Sequence, residues 1–298
     1  MKSEPITIVT CSYGPDARRC RLLCQSIDRF VPTTIEHCII VPRRDYPLFS
    51  DLHRGRRRVH ITEEIVPGHF YHLPAARKLW LGPGGWPVRG WIMQQVTKLS
   101  ANHVANTELL LFADSDLELI RPLDEGLLRR NDELRLHRIP GAKDTAEHLQ
   151  WHHRAARLLG EPPRYFGSDY VGQLITWRRS NLEGLQAHLE AVHGTPWYRP
   201  VARSLKFSEY ILYGAYVEHV LGKAGNGHFY CDDDICHCCW IPDDAARLAA
   251  GTAVVSPRAQ AILLQSNLGL RANQEALLLS RARQQIDQPD VLQRSLTP

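Results

Sequence analysis

The chain has 298 residues, 44 % of them hydrophobic and 23 % charged, with a formal net charge of +4. That length and balance suit a globular protein with a sizeable core, and they exclude a disordered or collagen-like chain. The small basic excess marks no nucleic-acid partner, and no run of about 18 apolar residues is present, so no transmembrane segment is expected. Ile6–Val9 is too short for the apolar core of a signal peptide, and the eight cysteines therefore read as reduced thiols in a cytoplasmic protein.

Ile6–Thr10 is a short β-branched run ending in the turn-prone Ser12-Tyr13-Gly14-Pro15-Asp16, which predicts a buried first strand and its loop. Ala17–Phe30 follows at helical spacing, with Leu22, Leu23, Ile27 and Phe30 on one face. Cys38–Val41 is a second buried strand stopped by Pro42, and Val59–Ile61 a third. Alternating strands and helices predict a parallel, doubly wound sheet. The arginines at 54, 56, 57 and 58 lack the interleaved aromatics of a single-strand binder and read as a solvated loop. After the Gly/Pro-rich segment Leu81–Gly90, Trp91–His103 is helical, and Leu109–Ala113 is an apolar strand leading into Asp114-Ser115-Asp116. Leu117–Ile120 is apolar again. Helices are expected over Asp144–Leu159, Leu182–Val192, Glu209–Val220 and Asn273–Gln288, and strands over Gln173–Trp177 and Ala261–Leu264. No internal repeat or low-complexity linker divides the chain, so a single domain over 1–298 is expected.

Asp114-Ser115-Asp116 carries the strongest chemical signal. Carboxylates at i and i+2 of an extended chain point to one side, where they can hold a hard cation, Mn²⁺ or Mg²⁺, that leaves positions open for phosphate oxygens. Open α/β sheets bind ligands outside the carboxyl ends of their strands, which is where this triplet falls. A second D-x-D, Asp232 to Asp234, lacks a preceding apolar strand.

Leu109–Glu125, LLLFADSDLELIRPLDE, resembles the metal-binding segment of type-A-fold (GT-A) glycosyltransferases, and ITIVTCSYGPD resembles the nucleotide-binding first loop of the same Rossmann-like fold. The chain as a whole resembles a little-characterised bacterial family of unknown function with a glycosyltransferase fold. The resemblance is at motif level over about the first 125 residues and looser around SEYILYGAYVE. It implies a mostly parallel twisted sheet flanked by helices, a nucleotide-sugar half over 1–125 and an acceptor half over 126–298. It also implies a UDP- or GDP-sugar donor with Mn²⁺ or Mg²⁺, and transfer to a hydroxyl acceptor.

On that resemblance Thr10, Ser12 and Tyr13 hold the base and ribose, with Asp45 after the second strand as a further contact. Gln94, Gln95 and Lys98 lie on one predicted helix, with Gln94 and Lys98 sharing a face; Lys98 can bind a phosphate as a point charge. Arg89 is a further diphosphate candidate, and Ser115 lies between the two metal-binding aspartates, Asp114 and Asp116. An inverting transferase needs a carboxylate base. Glu209, at a helix start capped by Ser208, is the first candidate, and Asp169, in a turn among aromatic residues, is the second. Trp177, Trp197 and Tyr198 are possible acceptor platforms. His228, His237 and Gln265-Ser266-Asn267 are candidates for a third metal ligand. Cys231, Cys236, Cys238 and Cys239 lack the paired C-x-x-C spacing of structural zinc and read as partly buried thiols. Two rival functions stay open: a nucleotidyl- or phosphoryl-transfer enzyme on the same two aspartates, and a non-catalytic nucleotide-binding module. The first lacks any G-x-x-x-x-G-K-[ST] loop.

Overall fold

The computed structural model describes residues 4–73, 76, 78–142 and 145–287. Asp144 and Gln288, outer ends of two expected helices, lie outside them.

The first half folds as its pattern dictates. Strand β1 (Ile6–Cys11), helix α1 (Ala17–Phe30), β2 (Glu36–Val41) and β3 (Arg57–Ile61) are followed by helix α2 (Gly90–Lys98) and β4 (Leu109–Phe112). A five-stranded sheet runs in the order β7-β4-β1-β2-β3, where β7 is Ile175–Arg178. Only β7 is antiparallel to its neighbour. The architecture is therefore mixed α/β, with a mostly parallel central sheet flanked by helices, as expected. Both sheet faces are covered, which is why the central strands β1 and β4 are buried along their whole length instead of alternating. Ile6, Ile8, Leu109 and Leu111 pack with Leu23 and Ile27 of α1 on one side. Val9, Leu110 and Phe112 pack with Ile92, Met93 and Val96 of α2 on the other.

Later elements include the short strand β5 (Leu117–Leu119), β6 (Glu133–His137), helix α3 (Ala146–Leu158), β7, α4 (Arg179–His193) and α5 (Glu209–Ala215). They are followed by β8 (His228–Cys231), β9 (Cys236–Cys239), α6 (Pro242–Ala250), β10 (Ala261–Leu264) and α7 (Ala272–Asp287). β10 pairs parallel to β9 and antiparallel to β5, which brings the late chain beside the Asp114–Asp116 turn. β8 pairs with β6, so the second D-x-D also follows a strand, contrary to expectation, but on a separate sheet.

Two further expectations are corrected. The arginine run is partly interior: Arg57 is 5 % exposed and its guanidinium bridges to Asp28 at 2.6 Å. Arg56 donates to the carbonyls of Ile27, Val31 and Pro32, tying β3 to the C-terminus of α1. The helix expected over Glu209–Val220 changes pitch, because α5 widens into a π-helical stretch over Tyr216–Leu221. At the end of α5, a Cβ on Gly214 would meet the Tyr170 ring at 2.3 Å, and Glu218 accepts a 2.8 Å hydrogen bond from that ring's hydroxyl. Neither side can yield cheaply. Gly214→Ala is expected to destabilise the fold by about 1–3 kcal/mol, read as a lower urea midpoint at unchanged slope; an unchanged midpoint would show that the ring relaxes freely.

Candidate functional site

β1 and β4 are adjacent and parallel, with Val9 opposite Phe112. The sheet reverses its strand order between them, since β2 lies to one side of β1 and β4 to the other. Such a switch point opens a crevice at the carboxyl ends of the strands. Ser12 and Tyr13 leave β1 there, and Asp114 and Asp116 leave β4 there. The aspartates sit on a turn closed by the Leu117 N–H donating to the Asp114 carbonyl at 3.1 Å, not on the extended segment expected.

Asp114 is held from both halves of the chain. Its Oδ1 is 2.9 Å from Lys98 Nζ, and its Oδ2 accepts from Gln173 Nε2 at 2.8 Å. The same Lys98 Nζ is 2.9 Å from Glu209 Oε1 and donates to the Tyr210 hydroxyl at 2.8 Å. An ammonium has three N–H bonds, and these three oxygens surround it. Burial alone would push Lys98 down, but the carboxylates of Asp114 and Glu209 raise it well above the usual lysine range, so it stays charged. Burial likewise opposes ionisation of Asp114, and Lys98 reverses that, leaving its carboxyl below the usual range. Gln95 completes the floor by accepting from the Glu209 N–H at 3.1 Å.

Asp116 is in the opposite condition. Its Oδ2 accepts from the Ser266 N–H at 2.8 Å, but among the described residues it has no ion pair like the one Lys98 gives Asp114. Burial, then the neighbouring Asp114, push its carboxyl up to about 7. Asp16, itself raised by burial, adds to the repulsion and is offset by Arg19 at 3.6 Å.

The divalent cation that the D-x-D resemblance implies can be tested against these groups. Among the described residues no group of three or more His, Cys, Asp or Glu side chains could hold a metal ion. Mg²⁺-type ions are commonly held by one or two carboxylates, with phosphate oxygens and water completing the shell. An uncompensated Asp116 beside Asp114 fits a cation carried in with a diphosphate, and does not fit a caged resident ion.

A family model described as "Family of unknown function (DUF6492)" matches residues 5–236. The chain belongs to that family. No curated protein matches it. Two solved structures of the galactosyltransferase LgtC align at 11 % identity. One, in complex with donor and acceptor sugar analogs, covers 92 % of this chain and 95 % of its own, with a TM-score of 0.46. The other, an active-site mutant, covers 93 % and 99 %, with a TM-score of 0.47.

The structure thus brings Gln95, Lys98, Asp114, Ser115, Asp116 and Glu209 together, and redefines several of them. Lys98 is corrected: it is 4 % exposed and its contacts are taken by protein oxygens, so it has no donor left for a phosphate. Gln94 is exposed, and Gln95 is the residue that shares the Lys98 face. Thr10 is also corrected: it is fully buried, its hydroxyl donates to the Ala113 carbonyl at 2.8 Å, and His37 Nε2 lies 3.0 Å away. Ser12 is 8 % exposed at the strand end. Tyr13 is 36 % exposed and stands near Asp16 and Asp116, which with burial raise its hydroxyl. Asp45 serves the loop itself, its Oδ2 accepting from the Gly14 N–H at 2.9 Å with Arg44 at 3.3 Å. Arg89 is exposed at the far end of α2 from Lys98.

Asp169 is 4 % exposed, its Oδ1 accepting from the N–H groups of Tyr170 and Val171. Trp177 is core, stacked on Tyr213 at 4.6 Å, and Trp197 is core too, so neither is an acceptor platform. Tyr198 packs edge-on against Phe70. Buried His228 lies 2.9 Å from the Tyr213 hydroxyl and 3.1 Å from the Leu134 carbonyl, which leaves it no nitrogen for a metal. His237 lies on β9, while Gln265-Ser266-Asn267 does reach the site, through its backbone. All eight cysteines are unpaired. Cys236 and Cys238 pack with one core cluster and Cys239 with another, so strand alternation keeps these thiols from converging on zinc.

Gln173 and Tyr210 were missed. The available signal for Gln173 was a polar residue at the open end of an apolar strand. It is followed by Leu174, held 1 % exposed at φ +52, a conformation costly for a leucine and adjacent to the side chain that meets Asp114.

Proposed function

We propose that the chain is a glycosyltransferase that moves a sugar from a nucleoside-diphosphate donor, UDP- or GDP-linked, to a hydroxyl acceptor, with Mn²⁺ or Mg²⁺. The observation that carries this reading is the asymmetric aspartate pair at the β1/β4 switch point, with Asp114 neutralised by Lys98 and Asp116 without an ion pair among the described residues. Asp116, with Asp114 behind it, would hold the cation, which supplies Lewis-acid neutralisation of the departing diphosphate. Tyr13 and Ser12 line the base and ribose side.

Residues 1–125 supply the donor half and 126–298 most of the acceptor half, meeting along α2, which carries Lys98 of the Lys98–Glu209 ion pair. Glu209 takes the acceptor hydroxyl proton as the new C–O bond forms at the anomeric carbon and the bond to the diphosphate breaks. Lys98, 2.9 Å from Glu209 Oε1, fixes that carboxylate in place until then.

Calorimetry with UDP and GDP, in Mn²⁺ and in EDTA, tests the donor side. One nucleotide is expected to bind at least about tenfold more tightly with metal, a difference of about 1.4 kcal/mol. Absence of binding at saturating Mn²⁺ would sink the reading, and cleavage of a nucleoside triphosphate to diphosphate would move it to nucleotidyl transfer. Glu209→Gln should keep nucleotide binding and lower turnover by about 10²–10⁴-fold; normal turnover removes Glu209 from the mechanism.

A further inference from the structure

α2 presents Trp91, Gln95 and Lys98 at i, i+4 and i+7, one face of a helix. Its inner end is the ammonium on Asp114. Its outer end is Trp91, 40 % exposed, whose ring lies 5.9 Å from that of Trp151 on α3. Trp151 stacks on His148 at 4.7 Å and 27°. His148 Nδ1 in turn lies 3.5 Å from Asp169 Oδ2.

From Asp169 the chain returns in four residues to Gln173, which holds Asp114. The helix that carries Lys98 therefore also carries Trp91, and the segment that carries Gln173 also carries Asp169, the neighbour of His148. The cluster combines flat apolar faces with a buried polar edge: Trp151 Nε1 is buried without a hydrogen bond among the described residues. Buried donors normally have partners. An electron-rich ring face matches the C–H face of a pyranose, and an adjacent N–H matches its hydroxyls.

We infer that Trp91 and Trp151, with His148 stacked behind Trp151, form the acceptor subsite and that its occupant is a carbohydrate, one ring lying on the indoles and one hydroxyl meeting the Trp151 Nε1 edge. Asp169 is a positioning residue: it is anchored by two backbone N–H groups and holds His148 in place, which reassigns it from the role of base. This rests on the glycosyltransferase reading, and the experiment separates the two.

Saturation-transfer NMR with lactose, cellobiose and N-acetylglucosamine is run on the full chain with Mn²⁺ and the nucleotide that binds, beside calorimetry of that nucleotide. At least one sugar should bind the wild type. Trp91→Ala and Trp151→Ala should weaken it about tenfold or more while nucleotide affinity is unchanged. Asp169→Asn, which keeps an oxygen for the backbone N–H groups, should weaken the sugar while leaving melting temperature and nucleotide affinity in place. Wild-type nucleotide binding with no sugar bound, or with sugar affinity unchanged in Trp91→Ala, overturns the subsite alone. Loss of nucleotide binding in the wild type overturns the function beneath it. Trp91 is exposed, so its variant stays folded if Trp151→Ala does not.

Discussion

Replacing Lys98 by methionine is expected to be the most damaging single substitution near the site, costing about 3–5 kcal/mol of stability. The methionine fills the stem's space but removes the charge shared by Asp114 and Glu209, each 2.9 Å from it. A buried and a half-buried carboxylate then face each other without the ammonium between them, and one must take up a proton or draw in water. Lys98 stays charged far into alkaline pH, so the wild type carries this stabilisation through the neutral range. Asp114 is held below its ordinary pKa, so its share of the stabilisation is present above about pH 4 and is lost as pH falls through its folded value. The deficit of Lys98→Met should therefore be largest at neutral pH and shrink in acid, as the stranded carboxylates protonate. Adding Glu209→Gln removes one of the two stranded charges and should recover a large part of the loss, an interaction of more than about 1 kcal/mol between contacting residues. Urea unfolding of the two single variants and the double variant measures it. Strict additivity would mean that Lys98 does not couple the two carboxylates.

The part of this site that could be read from sequence is the part set by local pattern. Apolar strands ending in polar turns placed Ser12, Asp114 and Asp116 at the carboxyl end of a parallel sheet, because a strand buried on both faces must be apolar along its length. Helical spacing put Lys98 on a helix but did not tell which face was inward. Gln94 at i+4 looked as suitable as Gln95, and only packing of α2 against β1 and α5 decides between them. Lys98 itself read as a point charge for a phosphate, since a lysine is almost never buried unless paired and no partner is near it in sequence. Its partners lie 16 and 111 positions away, one on each half of the chain. Gln173, Tyr210 and the Ser266 N–H share that difficulty: each arrives through a long-range crossing that no spacing encodes. His148 appeared in the sequence as one of several histidines on a basic helix. Only the return of Asp169 through an antiparallel pairing with Ile139 sets it apart from His152, which is buried among Tyr165 and Phe166.

Asp116→Asn is expected to separate stability from function in the opposite direction. Asp116 is raised to about 7 by burial and by Asp114, so its neutral form is the one the folded state prefers. For an acid shifted upward, ionisation costs folding energy that begins near the unfolded value, about 4, grows through the folded value, and is constant above it. The asparagine amide keeps an oxygen for the Ser266 N–H and cannot ionise. In EDTA at pH 8 the variant should be more stable than the wild type by about 1–3 kcal/mol, with solvent contact trimming what the shift alone would give. The advantage should fade toward pH 4. With Mn²⁺ and nucleoside diphosphate the order should invert, because binding to the folded state stabilises only the chain that retains the ligand site. Thermal melts of both proteins at pH 5 and pH 8, with EDTA and with Mn²⁺ plus nucleotide, give all four comparisons. A variant no more stable than the wild type at pH 8 in EDTA would mean that Asp116 is already compensated. A variant still stabilised by metal and nucleotide would move the cation to another group, since an arrangement tuned for a dication should leave its carboxylate uncomfortable without one.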